Sequence, residues 1–140
     1  QYIQQKAPFV VLCTNPCTMM GSLSYINESR NPEEFKRRWP LAKKLSHLAA
    51  EVCTMQLDGG RYFLAEHPDG SRQWKLPPWK RLLSRKGVYK VKGDQCIHGL
   101  VCPEGHPLQK RTVFVSNSKL LVQPLDRFCK GKHKLPHRHI

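Results

Sequence analysis

The sequence predicts an α/β protein in which a mostly parallel sheet is flanked by helices. Short apolar runs of strand length recur along the chain, and a long segment with apolar residues at helical spacing separates the first two runs. Gly and Pro residues stand at the borders between these segments. A length of 140 residues suits one domain with one core. We expect residues 1–128 to form this domain, a partial Rossmann-like fold, and residues 129–140 to be an extended basic tail.

The first strand is expected at residues 8–13, which are apolar throughout. A run of this kind is typical of a strand whose two faces are both buried in a parallel sheet. Residues 21–27 are expected to be a loop. Asn31 followed by Pro32 and Glu34 is typical of a helix N-terminus with Asn31 as the N-cap.

A long helix is expected after this cap, because apolar residues continue at helical spacing from Leu41 to Met55. Pro40 lacks a backbone donor, so we expect a break there, with the main helix beginning near it. Gly59 is expected to end the helix. The remaining elements are predicted as strands at 61–66, 88–92 and 111–115, a short helix at 78–86, and a terminal helix at 118–128 that Pro124 weakens.

Positive charge is spread along the whole chain. Lys and Arg number 24 against 10 Asp and Glu, which gives a formal net charge of +14. A compact protein with this charge repels itself unless a polyanion is nearby. An extended phosphate backbone binds such a surface by counterion release, without sequence preference. The sequence therefore predicts nucleic acid as the partner, with RNA favoured over DNA.

The expected contact residues are basic side chains that recur in pairs and triplets, with two tryptophans among them. Between positions 72 and 86, indole rings would stack unpaired bases while Lys and Arg bind phosphates. This segment is therefore the expected main contact surface. The full expected set is Arg37, Arg38, Arg72, Trp74, Lys75, Trp79, Lys80, Arg81, Arg85, Lys86, Lys110, Arg111, Lys130, Lys132, Lys134 and Arg138.

Other features bear on the compartment. No apolar run approaches the eighteen or so residues of a membrane-spanning helix, so no membrane partner is expected. The chain opens on Gln1 without a signal peptide, from which we expect a trimmed N-terminus. The six cysteines show no disulfide rhythm, which favours reduced thiols inside the cell. We expect an organelle such as the mitochondrion, or the nucleus, and no secretion.

Several motifs, taken in order, carry a resemblance to a known family. Asn15-Pro16-Cys17 follows the first expected strand, and Glu66-His67-Pro68 follows the second. The stretches 93–100, Gly-Asp-Gln-Cys-Ile-His-Gly-Leu, and 110–118, Lys-Arg-Thr-Val-Phe-Val-Ser-Asn-Ser, come later, and Cys129 and His133 close the series. In this order the motifs resemble the catalytic, C-terminal half of cytosine-C5 DNA methyltransferases, in particular phage- and retroelement-encoded members.

The resemblance implies a methyltransferase-type sheet with Cys17 as nucleophile at the end of one parallel strand and Glu66 contacting the base at the end of the next. Thiolate attack on a flipped-out cytosine activates C5, and a carboxyl group stabilises the charge that develops on the base. The chain lacks a Gly-rich turn after an apolar strand that would hold S-adenosylmethionine, so no cofactor is expected. The chain also departs from the family pattern, since Asn15 and His98 replace its Pro and Tyr.

The sequence predicts no metal, although it offers possible metal ligands at two places. One loop contains Cys96, His98, Cys102 and His106, which are zinc-ligand types without a standard spacing. The tail offers a second set, Cys129, His133 and His137, with His139 as a spare.

Two functions remain open from the sequence. The first is a non-catalytic nucleic-acid-binding protein on a degenerate methyltransferase-like fold, an RNA-binding structural component of a large ribonucleoprotein such as an organellar ribosome, with other proteins as partners. The second is the catalytic fragment of a split cytosine-C5 DNA methyltransferase that uses Cys17 and Glu66. Under the first, Cys17 is a small packed residue of the turn.

Overall fold

The computed structural model describes residues 1–138 and has a four-stranded mixed sheet with helices packed against it. The α/β class predicted from the sequence is confirmed. In chain order the elements are α1 (Tyr2–Lys6), β1 (Val10–Cys13), α2 (Ser24–Arg30), α3 (Pro32–Asp58), β2 (Tyr62–Pro68), α4 (Pro77–Leu83), β3 (Tyr89–Asp94), β4 (Arg111–Ser116) and α5 (Lys119–Val122). Short 3-10 helices occupy Arg72–Lys75, Gln95–His98 and Gln123–Leu125.

The sheet has the strand order β1-β2-β4-β3. β1 and β2 are parallel neighbours, with Cys13 opposite Ala65. β4 lies between β2 and β3 and is antiparallel to both. Three strands therefore share one direction, and the fourth enters among them in the opposite direction, as in a partial Rossmann-like sheet.

The N-terminus of α3 has the predicted cap. The backbone N–H of Glu34 donates to Asn31 Oδ1 over 3.2 Å, and Pro32 is the first helical residue. The carboxylate of Glu34 does not reach back to the cap, because it pairs with Arg37 instead. At the other end, Gly59 follows the last helical residue as predicted.

The predicted break at Pro40 is wrong. α3 runs through this residue without interruption for 27 residues. Its buried side chains lie on both sides of the proline, from Phe35 to Gln56, and Pro40 itself is exposed. Burial of this long face outweighs the loss of one backbone hydrogen bond.

The hydrophobic core lies between one face of the sheet and α3, α4 and the Arg72–Lys75 helix. Phe63 and Ala65 of β2 face it, as do Val113 and Val115 of β4. Trp79 of α4 is fully buried there. Its indole N–H donates to the backbone oxygen of Ser46 (3.1 Å) and to the Ser46 hydroxyl (2.9 Å), which fixes α4 against α3.

β1 does not have both faces buried, as its apolar sequence predicted. It is an edge strand, and the side chains of Val10 and Leu12 are 41% and 66% exposed. An apolar run shows that a strand is able to be buried, but it does not show that a neighbour covers it.

Two helical predictions also need correction. The expected loop at 21–27 contains the start of α2, and the expected helix at 118–128 is limited to α5 and the Gln123–Leu125 3-10 helix. Pro124 lies in this last turn, and the chain then continues without a helix.

The basic tail contacts the domain at several points. The amide of Asp94 donates to Arg127 O over 2.9 Å, and the amide of Arg138 donates to Pro107 O over 3.0 Å. Leu108 and Arg138 form a β-bridge. The segment 129–138 therefore folds back on the domain beside the end of β3.

Candidate functional site

Most of the positive charge has no internal partner. Eight of the 24 Lys and Arg side chains form ion pairs, which leaves 16 without a carboxylate oxygen within 4.0 Å among the described residues. All of these except Arg61 and Lys110 are exposed. The net charge is therefore a property of the surface.

One group of these cations lies around α4, and we call it the α4 basic surface. It comprises Lys75, Lys80, Arg81, Arg85 and Lys86, all exposed. Arg85 alone among them pairs with a carboxylate, that of Asp58, over 2.8 Å. α4 turns Trp79 and Leu82 toward the core, so its basic residues necessarily face solvent.

The expected base-stacking role of Trp74 and Trp79 is wrong. The two rings are 8% and 0% exposed and contact each other edge to face at 5.1 Å. Both belong to the core, so no base is able to reach their faces. The segment keeps its basic residues and loses its aromatic ones as contact candidates.

Arg72, also an expected contact residue, is mostly buried. Its side chain is 16% exposed and pairs with Glu28, and its guanidinium lies 3.8 Å from the ring centroid of Tyr25. Both partners belong to α2, so Arg72 fixes α2 against the Arg72–Lys75 helix.

Arg37 and Arg38 are exposed, but both pair with Glu34. The hydrogen bond from Arg37 lowers the pKa of Glu34. The carboxylate in turn raises the pKa of Arg37. The positive charge of this cluster is therefore partly neutralised within α3.

Lys110 and Arg111 precede and begin β4. Lys110 is half-buried, whereas the exposed Arg111 makes two hydrogen bonds to the buried carboxylate of Asp94, at 3.0 and 3.2 Å. Burial alone would raise the pKa of Asp94, but the bonds from Arg111 and the Cys129 amide outweigh it and lower that pKa. Arg111 therefore helps to hold the tail in place.

In the tail, Lys130, Lys132 and Lys134 are exposed and have no carboxylate partner among the described residues, whereas Arg138 pairs with Glu104 over 3.3 Å. Lys130 and Lys132 line a cleft of about 420 Å³ together with Arg127 and Phe128. This is a second basic surface, separate from α4.

The two candidate catalytic residues are placed differently from each other. Cys17 lies in a turn after β1, where its carbonyl accepts from the amides of Met20 (2.9 Å) and Gly21 (2.7 Å), and it is half-buried. Glu66 lies inside β2, not at its end, opposite Phe114 of β4. Because side chains alternate along a strand, Glu66 points away from the core face that its neighbour His67 occupies. No hydrogen bond joins Cys17 to Glu66 within the described residues.

A buried polar network lies beneath the Asn15-Pro16-Cys17 turn, and the sequence reasoning missed it. Asn15 Nδ2 donates to Gln73 Oε1 over 2.8 Å and lies 3.4 Å from His67 Nε2. Ser46 donates to the same oxygen of Gln73 over 3.0 Å. Burial lowers the pKa of His67 to about 4, and the charge of Lys110 adds to this, so its ring is neutral at neutral pH. The network holds the turn against α3.

Four possible metal ligands meet beside the end of β3. One ligand atom each from Cys96, Cys129, His133 and His137 lies within 4.8 Å of all the others. Cys129 Sγ is 3.0 Å from His133 Nε2 and 3.4 Å from His137 Nε2. Cys96 is buried, and the other three are half-buried. We call this the Cys/His cluster.

Of the loop residues considered as candidate ligands, only Cys96 lies in the cluster. His98 is exposed, Cys102 is not in the cluster, and His106 bonds through Nδ1 to the backbone oxygen of Pro136 over 3.1 Å. Cys96 instead joins the three tail residues of the second set. His139, the spare ligand, lies outside the described residues.

Comparisons give no family to add to this geometry: no protein-family model, curated protein or solved structure matches the chain. Within residues 1–138, none of the helices combines the length and apolar character needed to cross a membrane.

Proposed function

We propose that the chain is a non-catalytic protein that binds the phosphate backbone of nucleic acid through the α4 basic surface. The observation that carries the proposal is the exposed group Lys75, Lys80, Arg81 and Lys86, none of which has a carboxylate partner among the described residues. Cations without internal partners gain most from phosphate oxygens, because no existing ion pair has to be broken.

The manner of binding follows from what surrounds these cations. The nearby tryptophans are buried and unable to read or stack bases, so the contacts available are charge contacts. We therefore expect the chain to bind nucleic acid without sequence preference, with RNA favoured over DNA. The same proposal includes a position within a larger ribonucleoprotein, next to other proteins. In such an assembly a continuous nucleic-acid backbone would offer phosphates to the α4 basic surface.

The test is an anisotropy titration of a labelled single-stranded RNA at salt concentrations from about 50 to 200 mM. The variant Lys75→Gln, Lys80→Gln, Arg81→Gln removes three unpaired cations. For a single strand, the slope of log affinity against log salt should decrease in magnitude by about 2, that is about 0.7 for each contact.

A matched control removes the same charge from paired residues: Lys36→Gln, Arg37→Gln, Arg38→Gln on α3. Their partners are Glu33 and Glu34, so this variant should change the slope much less. Equal losses in both variants would show that net charge alone acts and that α4 is not the surface. A shallow slope in the unmodified chain, or a strong preference for one sequence over its scrambled versions, would overturn the proposal.

The split methyltransferase remains a second candidate because of β1. It is parallel to β2, it leads into the Cys17 turn, and its outer edge is open and apolar. A further strand on another chain would extend the sheet at this edge. Co-purification of one partner that carries a Gly-rich cofactor loop would favour this candidate, whereas a complex with RNA and many proteins favours the first. We expect the chain alone not to bind S-adenosylmethionine in calorimetry and not to methylate cytosine.

A further inference from the structure

We propose that the Cys/His cluster is a structural zinc site that fastens the C-terminal segment to the end of β3. This inference does not depend on the proposed function. Its ligands would be the sulfurs of Cys96 and Cys129 and the Nε2 atoms of His133 and His137.

The distances fit tetrahedral zinc. With Zn–S bonds of about 2.3 Å and Zn–N bonds of about 2.0–2.1 Å, a sulfur and a nitrogen of such a site lie about 3.5 Å apart, and two sulfurs about 3.8 Å apart. The sulfur–nitrogen distances from Cys129 to His133 and to His137 are 3.0 and 3.4 Å. No pair in the cluster exceeds 4.8 Å, so small rotations of the side chains would complete the geometry.

The donor set selects the metal and the role. Two thiolates and two imidazoles are ligands typical of zinc, and four protein ligands fill the tetrahedron. No position is left for water or substrate, so the site is structural and not catalytic. Two thiolates also neutralise the charge of the metal, so the site adds no further positive charge to an already basic tail.

Backbone contacts already position the ligands. The amide of Cys129 donates to the buried carboxylate of Asp94 over 2.9 Å, and the amide of Gly131 donates to Cys129 Sγ over 3.3 Å. Amide donors to sulfur stabilise the thiolate form that binds metal. Arg138 directly follows His137 in the sequence. Its backbone amide donates to the backbone oxygen of Pro107.

A bound metal would add stability that the tail otherwise lacks. Between residues 129 and 138 it contains no helix and no strand longer than a single bridge, and every apolar or basic residue there except the cluster ligands is exposed. Such a segment buries too little surface to offset the cost of ordering it. A bound metal supplies that free energy.

The experiment uses the full chain, purified with zinc present and its thiols kept reduced. Elemental analysis should give one zinc per chain. Replacement by cobalt should give the intense visible bands of tetrahedral coordination and a thiolate-to-metal charge-transfer band. Cys129→Ser and His137→Ala should each lower the affinity for cobalt by at least tenfold. Cys102→Ser and His98→Ala are the matched controls, and they should leave the spectrum unchanged.

A second measurement guards against variants that fail to fold. Removing zinc from the unmodified chain with a chelator should make the segment 129–138 sensitive to protease while the sheet stays folded, and zinc should restore protection. Absence of zinc and of a cobalt spectrum at saturating metal with reduced thiols would overturn the proposal. Equal loss of cobalt binding in Cys102→Ser would also overturn it, because that residue lies outside the cluster.

Discussion

His67 makes the stability of this domain depend on pH. Its ring is fully buried in the core-facing row of β2, in contact with Asn15 and edge to face with Trp74 at 6.2 Å. Burial disfavours the charged imidazolium, so the pKa falls from 6.5 to about 4 on folding. The unfolded chain therefore takes up a proton at a pH where the folded chain does not.

The sign and size of the pH effect on stability follow from this difference between the folded and unfolded pKa of His67. Above about pH 6.5 both states are neutral at His67, and the contribution to stability is complete. As the pH falls toward 4, the unfolded state is protonated first and the free energy of unfolding decreases. A shift of this size corresponds to a loss of about 3 kcal/mol across that window. That is a substantial part of the stability of a small domain.

Urea denaturation of the unmodified chain and of His67→Gln, between pH 4.5 and 7.5, measures this effect. The difference in the free energy of unfolding between the two proteins should stay constant above about pH 6.5 and change steadily below it, because every other titrating group cancels. His98→Gln, at an exposed position, is the control for replacing a histidine by glutamine. A difference that stays constant with pH would refute the reasoning. Nuclear magnetic resonance gives an independent check, since the His67 ring should not titrate above pH 5.

Three further outcomes are expected. Gly93→Ala should lower the free energy of unfolding by about 1–3 kcal/mol in urea titrations, because a Cβ there would overlap the backbone oxygen of Leu125; an unchanged midpoint would show that the Gln123–Leu125 helix does not pack on β3. Pro40→Ala should raise the free energy of unfolding by roughly 1–3 kcal/mol, because α3 regains a backbone hydrogen bond at an exposed position; destabilisation would mean that the packing of α3 depends on the proline. Cys17→Ser should leave the RNA affinity unchanged and cost about 1 kcal/mol of stability; loss of RNA binding would place the working surface at the turn.

Local signals predicted the elements that depend on local chemistry. The Asn31 cap, the glycine at the end of α3 and the apolar run of β4 all act within a few residues, so the sequence specifies them directly. The positions of the strands were predicted for the same reason, because short apolar runs mark them locally. α2 was missed because its N-cap residue, Leu23, makes no side-chain cap, and its exposed residues show no apolar period.

Predictions about what covers a residue were less accurate. The run of β1 and Trp79 of α4 are both apolar in the sequence, yet Leu12 is exposed and Trp79 is fully buried. The difference is set by which element lies opposite each of them, and this depends on the strand order. The strand order depends on pairing between distant segments, which no local pattern in the chain specifies.

The same limit applies to the Cys/His cluster, whose ligands come from two separate segments of the chain. Cys96 follows β3, whereas Cys129, His133 and His137 come after β4 and α5, so only the antiparallel pairing of β3 and β4 brings them together. The Asp94 carboxylate then binds both Arg111 of β4 and the Cys129 amide. A tail that is rich in lysine, and that the sequence suggests is extended, thereby becomes a fixed surface. The chain consequently presents two separate basic surfaces, one on α4 over the core and one at the end of β3.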